Sequence, residues 1–340
     1  MKKIGIILPP EFRRLGPHVG GLYRWFKASQ AGLLPKPHGI FGVSAGAIAG
    51  ASCLPWTEKN FAKVASLIKD LKTKQIFTLP RDVEAEILLF VVPYLLFFLN
   101  VENWSKTKKL IFHVAELASS LALTTFLFRR FLKRPSVFSN SPLYELLKIN
   151  NDSRFDFKSI FNSDIRFEAI ATDMETGGET VFCNHDPRDQ DPERFVKAIL
   201  ASSRLSGRFP PVVLDGKTLG DGGILGHAPI HRAIAAGCDA IVIFLFTSLK
   251  ESRPLPKNFM EDMVIAAHFT EMLATRLSID SYRKQLNDGA QLPALHIVEA
   301  GEPLEELTFK NFTSEALVNS MNLGYRAVDK DLAIIQRLVT

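Results

Sequence analysis

Three features of the 340-residue sequence predict an α/β protein built on a central, largely parallel sheet. Short apolar, β-rich runs alternate with segments of helical periodicity. Helix-start signals fall between those runs, and no fixed-period repeat or sustained heptad pattern interrupts them. The composition agrees: 46% hydrophobic and 23% charged residues supply a sizeable core and exclude disorder. The length exceeds the roughly 100–200 residues of an ordinary domain, so an insertion or a second domain is expected.

Taken in order, the first strand is read at Ile4 to Leu8. It follows a charged tip, Met1-Lys2-Lys3, but its apolar stretch is too short for a signal-peptide core and no small-residue cleavage site follows. Further strands are expected at Gly39 to Phe41, Arg166 to Thr172, Ala240 to Phe246 and Leu295 to Glu299. Pro17 is expected to open the first helix. Ser141-Pro142 supplies an N-cap and a first-turn proline before Leu143 to Lys148, and Asp191-Pro192 does the same before Phe195 to Ala201. Two further helices, near 258–287 and 313–338, carry no motif. Strands alternating with helices imply a sheet covered on both faces.

Residues 81–138 break the alternation. Ile87 to Leu99 is apolar except for the interruption at Pro93, and Leu110 to Phe128 is a second run whose polar members His113, Glu116, Ser120 and Thr124 fall at helical spacing. An inserted apolar helical hairpin is expected. Neither run makes the roughly 20 consecutive apolar residues of a membrane span. Lys106, Lys108 and Lys109 precede the second run, and Arg129, Arg130, Lys133 and Arg134 follow it. With a formal charge of +5 the chain favours anionic partners. Basic residues gathered on the two sides of an apolar run, the reverse of the basic–aromatic interleaving of nucleic-acid binders, point to lipid headgroups. The hairpin therefore reads as a lid or a peripheral contact with anionic membrane, although a satellite core has the same pattern.

The three cysteines, Cys53, Cys183 and Cys238, are odd in number and lack CxxC spacing, which argues against a disulfide framework or a zinc cluster and for a reducing, cytoplasmic compartment. The histidines show no metal spacing such as HExxH, and no Walker or dinucleotide fingerprint follows the first strand, so neither a metal nor a cofactor is expected.

Chemistry enters at Gly42-Val43-Ser44-Ala45-Gly46, a GxSxG motif between a strand and an Ala/Gly-rich helix start. Glycines there permit a sharp turn that lifts Ser44 out of the sheet as a nucleophile, and the helix N-terminus offers N–H groups to developing negative charge. Ser44 follows only two strands, whereas an α/β-hydrolase nucleophile follows several. The second element is Gly220-Asp221-Gly222-Gly223, where flanking glycines allow a carboxylate to approach another side chain closely. Asp-Gly is also a favoured hairpin turn. A competing triad would join Ser44 and Asp221 to a later histidine, His231 or His296.

Read together, Gly42 to Gly46 after the second strand, Thr172 to Gly177, Ala201-Ser202-Ser203, Phe209-Pro210-Pro211 and Asp221-Gly222-Gly223 resemble the patatin-like phospholipase family in order and spacing over roughly 1–235. The resemblance implies one patatin-like three-layer sandwich over 1–340, carrying the helical insertion at 81–138. It implies Ser44 as nucleophile and Asp221 as base, with no catalytic histidine. The substrate would be a phospholipid or another lipid ester, cleaved in the manner of a phospholipase A or lysophospholipase through an acyl-enzyme.

The resemblance also implies an oxyanion loop of glycines after the first strand, but Pro9-Pro10-Glu11-Phe12-Arg13-Arg14-Leu15-Gly16 stands there without a glycine run. Arg13, Arg14 and the Leu15 and Gly16 amides, with Ala45 at the next helix start, are the candidate donors. At Gly226-His227-Ala228-Pro229 the family commonly has asparagine in place of His227, which would either orient Asp221 or serve as a capping or core histidine. Two other functions fit the same residues: acyl transfer to an acceptor other than water, and an impaired module that binds membrane or protein.

Overall fold

The structure, a computed structural model, describes all residues except 1, 11–14, 77, 81, 85–104, 135, 137, 149–154, 205–207, 226–227, 247–258 and 301–312. Its strands are β1 (Ile4–Leu8), β2 (Gly39–Val43), β3 (Arg166–Asp173), β4 (Glu179–Cys183), β5 (Val212–Leu214), β6 (Lys217–Asp221), β7 (Ala240–Leu245) and β8 (Ala294–Glu299). The helices between them are α1 (Leu15–Gln30), α2 (Ala45–Ser52), α3 (Glu58–Asp70), α4 (Lys106–Leu132), α5 (Ser141–Lys148), α6 (Phe157–Phe161), α7 (Pro192–Ser202), α8 (Ile230–Ala235), α9 (Phe259–Asn287) and α10 (Ser314–Val339).

All eight strands join one sheet in the order β5-β6-β3-β2-β1-β7-β8, with β4 added to β3. The five from β3 to β8 in that order are mutually parallel, as their helical crossovers require, and the three expected from no apolar run, β4, β5 and β6, are antiparallel additions. Each parallel strand is read correctly from its β-branched run. The differences are at ends: β2 continues to Val43, up to the serine itself.

Alternation along β1 divides the core into two layers. Ile4, Ile6 and Leu8 pack with α1, α2, α3, α7 and α10, while Ile7 joins Phe41, Val43 and Ile243 against α8 and α9. The result is a three-layer α/β/α arrangement.

Helix starts follow local chemistry. Asp191 accepts the Arg194 N–H at 2.8 Å ahead of Pro192, as its sequence suggests, and Thr313 caps α10 through the Ala316 N–H. Pro17 does not open α1; the helix begins at Leu15, and Pro17 still lies in the first turn, where its missing N–H costs no helical bond. Likewise Ser141 lies inside α5.

Helices α1 and α10 approach closely, and that contact explains three glycines. A Cβ at Gly16 would overlap Ser320 Oγ, one at Gly20 the Met321 carbonyl oxygen, and one at Gly324 the Pro17 carbonyl oxygen. We expect Gly20→Val to reduce unfolding free energy by about 2–3 kcal/mol. The readout is a lower urea midpoint at unchanged slope; an unchanged midpoint would show that the two helices separate without cost.

Candidate active site

The turn after β2 is built to raise one side chain. Ser44 adopts φ 54° and ψ −122°, a left-handed region that a non-glycine residue occupies at a cost of about 1–3 kcal/mol. Its neighbours explain why the surrounding residues are small: a Cβ at Gly42 would lie 2.6 Å from the Gly46 carbonyl oxygen, and one at Gly46 would overlap the Leu8 carbonyl oxygen. The C-terminal end of β1 therefore runs against the same elbow. Ser44 sits at the N-cap of α2 yet makes no cap with its side chain, because the hydroxyl is committed elsewhere.

That commitment is to Asp221. Ser44 Oγ donates to Asp221 Oδ2 at 2.9 Å, across 177 positions of sequence. Both residues are buried, 8% and 4% exposed.

Asp221 is held at every polar atom. Oδ1 accepts the Gly223 N–H at 2.7 Å, its backbone N–H donates to the Arg204 carbonyl at 3.1 Å, and its carbonyl accepts the Thr172 hydroxyl at 2.8 Å. Burial pushes the Asp221 carboxyl up to about 7, against the opposing pull of the Gly223 N–H, the Ser44 hydroxyl and the Arg204 guanidinium. A carboxylate of that basicity is matched to accepting a proton near neutral pH.

The backbone of Ser44 is fixed by a residue that the sequence reading quoted without a role. Ser202, fully buried at the end of α7, accepts the Ser44 N–H at 3.0 Å and donates to the Ile170 carbonyl at 2.6 Å. It thus pins the strained turn to β3. The signal was its place in Ala201-Ser202-Ser203; nothing in its residue type distinguishes it from Ser203, whose hydroxyl bonds back into its own helix at Ile199.

Of the Asp-Gly pairs at 215–216 and 221–222, the hairpin turn is Asp215-Gly216, both with positive φ, joining β5 to β6. Asp221-Gly222 instead ends β6, and a Cβ at Gly222 would overlap the Ile170 carbonyl oxygen, so close approach to β3 requires glycine there. Gly223 supplies the N–H on Oδ1.

The remaining candidates divide. Ala45 is the first residue of α2, and with Gly46 it lies in the turn where a helix supplies no acceptor for its own N–H groups. Leu15 and Gly16 open α1, and among the described residues neither is bonded to Ser44 or Asp221. Arg13, Arg14 and His227 lie outside the described residues. The two later histidines have other partners: His231 Nε2 lies 2.9 Å from Glu179 and His296 Nε2 lies 3.0 Å from Asp331. Among the described residues there is no cluster of three or more His, Cys, Asp or Glu able to hold a metal.

The second run of the expected hairpin is the helix α4, while the first, Ile87 to Leu99, lies outside the described residues. On α4, Val114, Leu121, Phe126 and Phe128 are exposed, Leu121 and Phe128 to 67% and 60%, and Leu127 is buried. Lys108, Arg129, Arg130 and Lys133 are exposed around them. Arg134 is different: it pairs with Asp82 at 2.8 Å. Nearby, Thr78 and Ser139 form a two-sided bridge. No helix among the described residues is long and apolar enough to cross a membrane.

The site is thus a strained serine bonded to a buried carboxylate, at the ends of strands in an α/β/α sheet. The model of the patatin-like phospholipase family matches residues 18–234, well over half of the chain, and the chain belongs to that family. No curated protein matches it. Among solved structures, the chain is similar to VipD from Legionella pneumophila, with a TM-score of 0.42 and 12% identity, over 98% of this chain and 67% of that one.

Burial of Asp221 predicts a pH-dependent stability. The folded-state carboxyl, raised to about 7, holds its proton more tightly than the unfolded one near 4. Its contribution is therefore fully present below about pH 4 and is lost as pH rises to 7 and beyond. Asp221→Asn stays neutral throughout, so it should be more stable than wild type at pH 8, by up to about 4 kcal/mol, with the gap closing toward pH 4. Thermal unfolding across that range checks it; a constant gap would place the carboxylate in water.

Proposed function

We propose that the chain, as one patatin-like domain over 1–340 with an insertion at 81–138, hydrolyses carboxylic esters of lipids with the specificity of a phospholipase A or lysophospholipase. The observation that carries this reading is the 2.9 Å bond from the Ser44 hydroxyl to a buried Asp221 poised near neutral pH. Family membership supplies the substrate class, lipid acyl esters.

In the proposed first step Ser44 Oγ attacks the ester carbonyl carbon while its proton passes to Asp221 Oδ2. The tetrahedral oxyanion collapses, the C–O bond to the leaving alcohol breaks, and Asp221 returns the proton to that oxygen. Water then attacks the acyl-enzyme, gives a proton to Asp221, and the fatty acid leaves as Ser44 recovers the proton. Negative charge on the carbonyl oxygen is met by the Ala45 amide at the start of α2. The Ser44 amide is not in this set, because Ser202 holds it.

Exposed apolar residues on α4, bracketed by exposed basic ones, support contact with an anionic bilayer surface, apolar side chains among the acyl chains and cations at the headgroups. Arg134, tied to Asp82, belongs to the base of the insertion and not to that contact.

Ser44→Ala and Asp221→Asn should each abolish hydrolysis of a phospholipid and of a soluble ester, with circular dichroism unchanged, and Ser44→Ala should no longer be labelled by a fluorophosphonate. Wild-type-like turnover in either variant refutes the mechanism. Because the base form of Asp221 prevails above about pH 7, kcat/KM in the wild type should fall about tenfold per pH unit below it. Separately, reversing charge at Arg129, Arg130 and Lys133 should weaken sedimentation with phosphatidylserine vesicles while leaving soluble-ester turnover intact; equal sedimentation removes the lipid contact.

A further inference from the structure

One side chain stands inside the sheet at the point where the nucleophile leaves it. The last register pair between β2 and β3 is Val43 with Ile170. Beyond that pair the two chains are joined through the Ser202 hydroxyl, which accepts the Ser44 N–H at 3.0 Å and donates to the Ile170 carbonyl at 2.6 Å. A hydroxyl has one proton, and Ile170 takes it, so Ser202 offers Ser44 only a lone pair. A regular ladder joins an N–H to a carbonyl directly, at about 2.9 Å. Here two bonds in series lie between them, at the residue where the chain turns to φ 54°.

The same helix end reaches the base. Ser202 is the last residue of α7, and Arg204, just past the helix, accepts the Asp221 N–H on its carbonyl at 3.1 Å. The Ser203 N–H on the Ile199 carbonyl and the Arg204 N–H on the Ala201 carbonyl fix that turn of backbone. Nucleophile and base are thus tied to one helix end through their amides, besides the bond between their side chains. Resting on the reading of Ser44 and Asp221 as nucleophile and base, we propose that Ser202 is a positioning residue for Ser44. Its hydroxyl, inserted between β2 and β3, sets how far the elbow stands off from the sheet, and with it the approach of Ser44 Oγ to Asp221 Oδ2.

Removing the oxygen has two outcomes, and both displace the nucleophile. The Ser44 N–H and the Ile170 carbonyl are left unpaired away from water, or they close on each other and draw Ser44 toward β3. Ser202 is fully buried, so it offers no surface to a substrate, and its loss falls on the chemical step and not on binding. Ser203 is the natural contrast. It sits on the same helix end, but its hydroxyl returns to the Ile199 carbonyl at 2.9 Å, within its own helix, and does not reach the elbow.

The test compares Ser202→Ala, which removes the bridge, and Ser202→Cys, which keeps its shape but bonds weakly, with Ser203→Ala, which perturbs the same helix end. Each variant is measured for its urea midpoint, for kcat and KM on a soluble ester, and for the amide resonance of Ser44 in protein labelled with 15N-serine, assigned by its loss in Ser44→Ala. Expected in Ser202→Ala is a fall in kcat of about 100-fold with KM changed by less than about twofold, together with a displaced Ser44 resonance. Ser202→Cys should fall between it and wild type, and Ser203→Ala should keep both kcat and the resonance. An unchanged kcat or an unmoved Ser44 resonance in a folded Ser202 variant overturns the proposal, as does an equal loss in Ser203→Ala. Failure of both Ser202 variants to fold, with Ser203→Ala folded, overturns it too, since Ser202 would then serve the fold and not the nucleophile. Turnover retained in Ser44→Ala would strike the dyad itself; the resonance still reads the hold of Ser202 on the Ser44 amide, so the two failures are distinct.

Discussion

Two strands share one edge of β3, and the candidate site exists because they meet there end to end. β2 pairs with Arg166 to Ile170 and runs parallel to β3, whereas β6 pairs with Ala171 to Asp173 and runs antiparallel. The other edge of β3 is taken by β4, at Glu168 to Thr172, so β2 and β6 must occupy the same side. Their C-terminal ends therefore point at each other across the Ile170–Ala171 peptide. Ser44 leaves one end and Asp221 closes the other, and a hydrogen bond between positions 177 apart becomes a local event. Glycine is needed at 222 and serine at 202 for the same reason: both lie against the Ile170 carbonyl, at the point where one strand stops and the next begins.

Much of this frame was legible in the sequence because it rests on short-range patterns. β1, β3 and β7 are buried on both faces and stand out as apolar or β-branched runs, β8 shows through its own run although it is only partly buried at the sheet edge, and the elbow around Ser44 betrays itself through two glycines and an alanine. The antiparallel strands did not stand out. β5 has three residues, β6 opens with Lys217-Thr218, and β4 is half exposed at its start, so none offers an apolar run. What could have found β5 and β6 is Asp215-Gly216, a favoured hairpin pair set between Val213-Leu214 and Thr218-Leu219; the reading gave the hairpin alternative to Asp221-Gly222 instead.

The partners of Asp221 were less legible still, and for a different reason. Arg204 and Thr172 act on it through a backbone carbonyl, a hydroxyl and a field, contacts that only the tertiary path of the loop creates. An arginine in a loop reads as solvated until its burial is known. Arg134 is the mirror case: grouped by sequence with Arg129, Arg130 and Lys133 as one basic flank, it is turned inward to Asp82 while its neighbours face water. Helical periodicity cannot make that distinction once α4 has ended at Leu132.

Strain and buried charge at the site oppose folding, and the sheet absorbs both. Ser44 sits in a region of φ that disfavours any Cβ, and Asp221 holds a carboxyl away from water; each alone would relax, the first by turning the peptide, the second by swinging to solvent. Neither can. Ser202 locks the Ser44 amide to β3, and four hydrogen bonds lock Asp221 through its N–H, its carbonyl and both carboxylate oxygens. Moving either residue would break bonds to β3 or to the Arg204 carbonyl. Rigid strand ends on both sides thus keep the Ser44 hydroxyl and the Asp221 carboxyl in a geometry that a pair of loops would not sustain, which is the preorganisation that the proposed proton transfer requires.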